Sequence, residues 1–270
     1  MSDISVVINT LNEEAHIAEC IRSIRHLAGE IVVCDMHSDD RTREIAAELG
    51  ARVILHERRG YVEPARHYAI SQARREWVLV LDADERMTEK LGRRLQEIAK
   101  EGKYDVVIFW SLFWYFGGWV RHGGFFSGLW PRFFRKSVYL QRYRPGEEKV
   151  HQNFSSVKQH PNRIKLSKEY YLLHLAYPDI EKYIVKTVGK YARIEAENRV
   201  SEGERFHLCG MLGDPAKEFL LRYVILQGFR DGVRGLVLSV LYAGFRFSMW
   251  ANMWFLTKRP STPMGDKEGE

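Results

Sequence analysis

Asp82 and Asp84 stand one residue apart in the run Leu81-Asp82-Ala83-Asp84-Glu85, directly after the apolar stretch Trp77-Val78-Leu79-Val80-Leu81. Two carboxylates at the end of a buried strand supply hard oxygen ligands, able to hold Mg²⁺ or Mn²⁺ against a substrate diphosphate. The same triplet also occurs as a solvated turn or a helix cap. Asp35 follows a second apolar run, Ile31-Val32-Val33-Cys34, and its carboxylate can hydrogen-bond a base or ribose; Asp39 and Asp40 read as caps of the next helix. Thr10, Asn12 and Glu13 follow a first such run, residues 4–9, and serve either a ligand or a helix cap. Arg66 lies between these sites in sequence, where a guanidinium can pair bidentately with a diphosphate or simply decorate a helix surface. Arg132 and Arg135 in Arg132-Phe133-Phe134-Arg135 are further phosphate partners or basic surface.

The elements that must position these residues can be read from the patterning. Through the first hundred residues, short β-branched runs alternate with stretches of helical period, such as Ile17, Cys20, Ile21 and Ile24. That alternation predicts an α/β fold with a mainly parallel sheet flanked by helices. Ligands of open α/β sheets bind outside the carboxyl ends of strands, so Thr10, Asp35 and Asp82 are expected to converge there. Residues 105–110 read as another strand, whereas 113–119 hold more aromatics than one strand buries and read as a loop or edge that packs a partner. From about Pro178 the pattern turns helical, with apolar, Arg-punctuated stretches between 216 and 256. The expected organisation is a catalytic domain over 1–177, a helical region over 178–259 and a frayed tail over 260–270.

A net charge of +6 and a pI near 9.1 suit nucleic acid, anionic headgroups or phosphorylated substrates. Arginines interleaved with aromatics after residue 119 suit a membrane surface at least as well as RNA, and no RNA-binding motif accompanies them. Cys20, Cys34 and Cys209 lack metal-site spacing and fit buried thiols in a reducing cytoplasm. No signal peptide is expected, and neither 106–120 nor 235–257 matches the ~20 uninterrupted apolar residues of a spanning helix.

Taken together, Ile8-Asn9-Thr10-Leu11-Asn12-Glu13-Glu14, the run Val33-Cys34-Asp35 through Thr42, Ala65-Arg66-His67 and Leu81 through Glu85 resemble the ordered motifs of family 2 glycosyltransferases. Later segments, 116–124, Arg132 to Arg135, Val150-His151-Gln152, 173–177 and 228–235, are similar to the bacterial lipopolysaccharide-core β-glucosyltransferase group. The resemblance implies a GT-A fold, a UDP-type sugar donor, inversion at the anomeric carbon and a glycan or glycolipid acceptor. It implies Thr10, Asn12, Glu13 and Asp35 around the nucleoside, Arg66 and Asp82 along ribose and diphosphate, and Asp84 on the metal. Independently of the resemblance, the aromatic stretch 110–119 and the basic, apolar C-terminal region read as a peripheral attachment at the inner face of the cytoplasmic membrane, or else as helix-packing or dimer surfaces.

One motif departs from the group. Val150-His151-Gln152 stands where a Val-His-Glu is usual, and a Gln amide cannot take a proton from an acceptor hydroxyl. Glu147 and Glu148 are the nearest substitutes as general base, or else solvated loop charges. His151 or His174 can complete a metal shell, or serve as a hydrogen-bonded structural residue. The missing glutamate leaves open a second class of function, a nucleotide-sugar-binding scaffold without turnover. Within the enzyme class, a transferase acting on polyprenyl phosphate or on protein is also open.

Overall fold

The computed structural model describes residues 2–58, 62–127, 130–142 and 154–258. In chain order the elements are β1 (Ile4–Thr10), α1 (Ile17–Ile24), β2 (Glu30–Asp35), α2 (Thr42–Glu48), β3 (Arg52–Leu55), α3 (Glu63–Gln72), β4 (Trp77–Asp82), β5 (Glu85–Met87) and α4 (Glu89–Glu101). There follow β6 (Val106–Ile108), β7 (Trp110–Tyr115), β8 (Gly118–Val120), β9 (Pro131–Arg135), α5 (Lys136–Arg142), α6 (Ser155–Lys158), β10 (Arg163–Lys165) and β11 (Tyr171–Tyr177). The remainder is helical: α7 (Ile180–Tyr183), a π-helix (Ile184–Tyr191), α8 (Ala192–Ser201), α9 (Leu208–Leu220), a second π segment (Leu221–Ile225), a 3₁₀ turn (Gly228–Asp231) and α10 (Gly232–Thr257). Two compact units result, Met1–Leu112 with Ser127–Leu175, and Phe113–Phe126 with Ala176–Glu270.

The first unit carries a seven-stranded sheet in the order β10-β6-β9-β4-β1-β2-β3. Its neighbours run parallel except at β9, which is antiparallel to both β4 and β6. Strand alternation divides the core between the two faces. Val6 and Ile8 of β1 join Trp77, Leu79 and Leu81 of β4 on the side covered by α1 and α4, while Val7, Val78 and Val80 join Ala65, Ala69 and Ile70 of α3 on the other. Both helix faces are legible locally. α1 buries Ile17, Cys20, Ile21 and Ile24, and α4 buries Leu91, Leu95 and Ile98. α4 is delimited by Thr88, whose side chain accepts from the Leu91 N–H, and by Gly102 at φ 64°, the left-handed stop that glycine takes without strain.

A second, four-stranded sheet has the order β5-β11-β7-β8. The aromatic segment expected as a loop or edge is a hairpin: β7 and β8 pair antiparallel with Tyr115 opposite Gly118. Phe116 and Gly117 make the turn at φ 47° and 83°, the two left-handed residues that a tight hairpin of native twist requires. β9 was not anticipated, because five residues with an arginine at each flank read as basic surface. Its inward phenylalanines explain it, Phe133 stacking on Trp77 at 4.6 Å and Phe134 on Tyr139 at 5.2 Å.

The second unit packs around α10. Leu238 meets Tyr115, Phe125 and Tyr183, and Met249, Trp250 and Met253 meet Ala192 and Ala196 of α8. α9 is fastened to it by Asp214, which accepts from Arg246 Nε at 2.8 Å and Trp250 Nε1 at 3.0 Å. Cys20 and Cys34 are buried, but Cys209 is exposed on α9, against the expectation for all three. Among the described residues no helix is long and apolar enough to cross a membrane.

Candidate active site

β1, β2 and β4 lie side by side, and their registers bring Thr10 next to Asp35 and Asn9 next to Asp82. The carboxyl ends of three adjacent strands thus bring Thr10, Asp35 and Asp82 together, at the edge where open α/β sheets bind ligands. Asp35 is fully buried. Its Oδ1 accepts the Ser38 N–H at 2.8 Å, and its Oδ2 accepts the hydroxyls of Thr10 at 2.9 Å and Ser38 at 2.5 Å. Asn12, in the left-handed region at φ 56°, ties the β1 loop to the β2 loop: its N–H donates to Ser38 Oγ and its Oδ1 accepts from the Asp39 N–H. The Glu13 N–H donates to Thr42 Oγ1 at 2.8 Å, and Asp40 accepts from the N–H groups of Glu14 and Thr42. The four residues expected around a nucleoside therefore form one cross-linked loop pair.

The second cluster is ionic. Asp82 Oδ1 accepts from Arg66 Nη2 at 2.7 Å and its Oδ2 from Arg132 Nη2 at 3.2 Å. Arg132 also donates through Nη1 to Glu85 Oε2 at 2.7 Å, and the same oxygen takes the Asp82 N–H at 2.8 Å. β11 supplies His174 in register with Glu85 of β5. His174 Nδ1 lies 3.3 Å from Glu85 Oε1, and its Nε2 lies 3.4 Å from Asp84 Oδ2.

Proton affinities are set by this packing. Burial works to raise the Asp82 carboxyl, but Arg66, Arg132 and His174 outweigh it and hold the group well below the carboxylate range. For Glu85 burial wins: it pushes the carboxyl up to about 7, with Arg132 opposing and Asp82 adding. Burial would lower His174, yet Asp84 and then Glu85 raise it above the ordinary histidine value.

Of the residues singled out from sequence, Arg66, Asp82, Asp84, Arg132 and His174 come together. Arg135 does not, pairing instead with Asp105 at 3.0 Å and covering the Trp77 ring at 4.9 Å. Glu147, Glu148, His151 and Gln152 lie outside the described residues. Two members were missed. Glu85 gave no signal beyond closing the Asp82 run, since its burial comes from pairing with a strand almost ninety residues on. Asn9, buried beside Asp82, has neither amide atom hydrogen-bonded among the described residues, and Arg66 Nε is in the same position. A polar amide at the end of an otherwise largely apolar run is the only signal that Asn9 offered in the sequence.

Two side chains of the cluster, Asp84 and His174, are of the ligand type that a divalent ion takes. Asp84 and His174 offer a carboxylate and an imidazole close enough for one ion to touch both, whereas both oxygens of Asp82 are already held by arginine. Among the described residues no group of three or more such side chains converges.

A mixed sheet whose strand ends gather a laced polar loop pair and an acid-arginine cluster defines an α/β enzyme of the GT-A type. The sequence profile of Glycosyl transferase family 2 matches residues 5–157, more than half of the chain, which therefore belongs to that family. A glycosyltransferase of Rickettsia typhi is 29% identical over 262 residues, covering 94% of this chain and 87% of its own. The lipopolysaccharide core biosynthesis glycosyltransferase LpsC of Rhizobium meliloti is 26% identical, covering 93% of this chain and 92% of its own. In fold, the crystal structure of S. aureus TarS 1–349 superposes with a TM-score of 0.54 at 16% identity, over 97% of this chain and 93% of that one. The protein is a glycosyltransferase.

Proposed function

We propose that the enzyme moves a hexose, with inversion, from a UDP-type nucleotide diphosphate to a lipid-linked or lipopolysaccharide-core glycan at a membrane surface. The observation that carries the donor half is the juxtaposition of two arginines with Asp82 and Asp84 at the strand ends beside the Thr10-Asp35-Ser38 network. Thr10, Asn12, Glu13 and Asp35 shape the nucleoside end. Arg66 and Arg132 turn guanidinium N–H groups toward the diphosphate, the planar fork suiting paired phosphoryl oxygens. The acceptor half is supported by the name of the Rhizobium relative, a lipopolysaccharide core enzyme.

Mg²⁺ or Mn²⁺ would sit at Asp84 with His174, and with Asp82 once an arginine turns to substrate; when bound, it offsets charge building on the leaving diphosphate. Glu85 fixes the geometry by holding the Asp82 N–H and Arg132 with one oxygen. Glu147 or Glu148 would take the acceptor hydroxyl's proton.

The test is UDP release from a panel of donor sugars with Mn²⁺, with Mg²⁺ and with chelator. Asp84→Asn is expected to lower release at least a hundredfold, and Glu147→Gln or Glu148→Gln to lower it while leaving UDP binding intact. Tight UDP binding without release from any donor would favour the non-catalytic scaffold instead. Binding of neither UDP nor another nucleotide diphosphate would sink both readings.

A further inference from the structure

α10 presents solvent with a face that carries no charge. Val233, Leu236, Val240, Phe247 and Trp254 are exposed, and their spacings of three, four, seven and seven residues place them along one side of the helix. Gly235, Leu238, Ser239, Met249, Trp250 and Met253 are buried on the opposite side. Both arginines of the helix are drawn inward, Arg234 reaching the Phe116 carbonyl at 3.4 Å and Arg246 bonding Asp214. Val233 is 77% exposed and Val240 52%, on a helix roughly 39 Å long, so the apolar stripe is extended rather than a scatter of single residues. The chain just before it adds Val224, Ile225 and Phe229, all exposed.

The charged side chains left exposed at the two ends of this helix have one sign. Residues 205–258 contain three carboxylates, and each is held by partners within the fold. Asp214 holds Arg246 and Trp250, Glu218 lies 3.2 Å from Arg222 Nε, and Asp231 accepts from the His122 N–H at 2.7 Å. Arg230, just before the helix, and Lys258, at its end over the Trp254 ring at 5.5 Å, are left at the surface. Apolar side chains fringed by cations, with no acid exposed among them, complement anionic headgroups over acyl chains. A two-fold pair of this chain would instead set like charges against each other. No helix is fit to cross a bilayer among the described residues, so the complementary geometry is a helix lying in the interface.

We infer that the exposed face of α10, with the turn before it, is a docking surface for an anionic lipid bilayer. This deepens the reading of a membrane-borne acceptor, on which it rests, by naming the face and the lipid chemistry. The experiment is flotation of the full chain with phosphatidylcholine vesicles that contain or lack phosphatidylglycerol. Wild type is expected to float strongly with the anionic vesicles and only weakly with the neutral ones. The pair Val233→Asp/Val240→Asp and the pair Arg230→Glu/Lys258→Glu should each lower partitioning about tenfold while UDP binding by calorimetry is unchanged. Should either pair unfold, a polarity-sensitive fluorophore on Val240→Cys in a Cys209→Ser background replaces it, with a blue shift on anionic vesicles expected and an unshifted spectrum overturning the assignment. Wild type left in the soluble fraction with both vesicles overturns it too. So does a dimer in light scattering that Val240→Asp dissociates without any lipid binding, which would give the face to a second copy. Lost vesicle binding with UDP binding intact sinks this inference alone; the reverse result sinks the transfer reading alone.

Discussion

Arg66 is asked to do two things that compete. It neutralises Asp82 at 2.7 Å from a position almost closed to solvent, and it is proposed to meet the donor diphosphate. Arg66→Ala is expected to cost about 3 kcal/mol, because Asp82 loses a partly buried counter-charge, and to weaken UDP binding by one to two orders of magnitude. Arg66→Lys should recover much of the melting temperature but little of the affinity, since an ammonium cannot offer the paired fork; equal recovery of both in thermal melts and calorimetry would make Arg66 a plain structural cation. Asn9 predicts the opposite sign. With both amide atoms unpartnered among the described residues, Asn9→Val should raise the melting temperature, by removing buried polar groups that cost about 1–3 kcal/mol each, yet weaken UDP binding. A lower melting temperature would show that the amide is satisfied by an internal water. These two residues also mark the limit of legibility at this scale. Arg66 could be nominated from its type and its place between acidic motifs, whereas the importance of Asn9 depends on burial that only the β1 and β4 register creates.

Elements were legible where one face had to be buried, and obscure where the partner was distant in sequence. β1, β2 and β4 announce themselves as apolar runs and so put Thr10, Asp35 and Asp82 at adjacent strand ends. β5 and β9 are three and five residues long and carry charges, and their identity comes from strands far along the chain. Glu30 shows how one side chain secures such an element. It begins β2 and accepts from Ser5 Oγ at 2.6 Å, the Arg74 N–H at 2.8 Å and Arg52 Nη2 at 2.9 Å. Burial alone would raise its carboxyl, but Ser5, Arg74 and Arg52 together lower it. A depressed carboxyl stabilises above its unfolded value near 4.5 and loses that contribution as pH falls through the folded one. The melting temperature of Glu30→Gln should therefore lie below wild type at neutral pH and approach it below about pH 4; a constant gap would exclude the charge as the cause. At the start of α10 the constraint is steric: a Cβ on Gly235 would lie 1.8 Å from the Gly228 carbonyl oxygen. Gly235→Ala must pry the helix from the preceding 3₁₀ turn, and a loss of about 1–3 kcal/mol is expected in denaturant titration.

At the scale of the whole molecule, a net charge of +6 is ambiguous until its distribution is known. The interleaving of arginine with aromatics suggested a surface, yet Arg222, Arg234 and Arg246 are turned into the fold, Arg222 stacking 3.5 Å from the Tyr242 ring centroid. Sequence could not separate these from Lys217 and Arg230, because inward and outward cations look alike until the helices pack. The remaining balance of charge and apolar area sets a salt response. Raising ionic strength from about 0.1 M to about 1 M shortens screening from about 10 Å to about 3 Å, so vesicle binding should weaken without vanishing. Complete release in a sedimentation assay at high salt would mean that the apolar stripe does not insert.

The π-helix at Ile184–Tyr191 sits between α7 and α8 and widens the coil there. A widened turn is an ordinary helix that has absorbed a surplus residue, and removing one restores the tighter ladder without rotating α8 beyond it. Ala192 and Ala196 would keep their places against α10. The chain thus possesses a spot where its length can change by one without a loop to take up the difference, and a gap inside this helix between related proteins would be a conservative event.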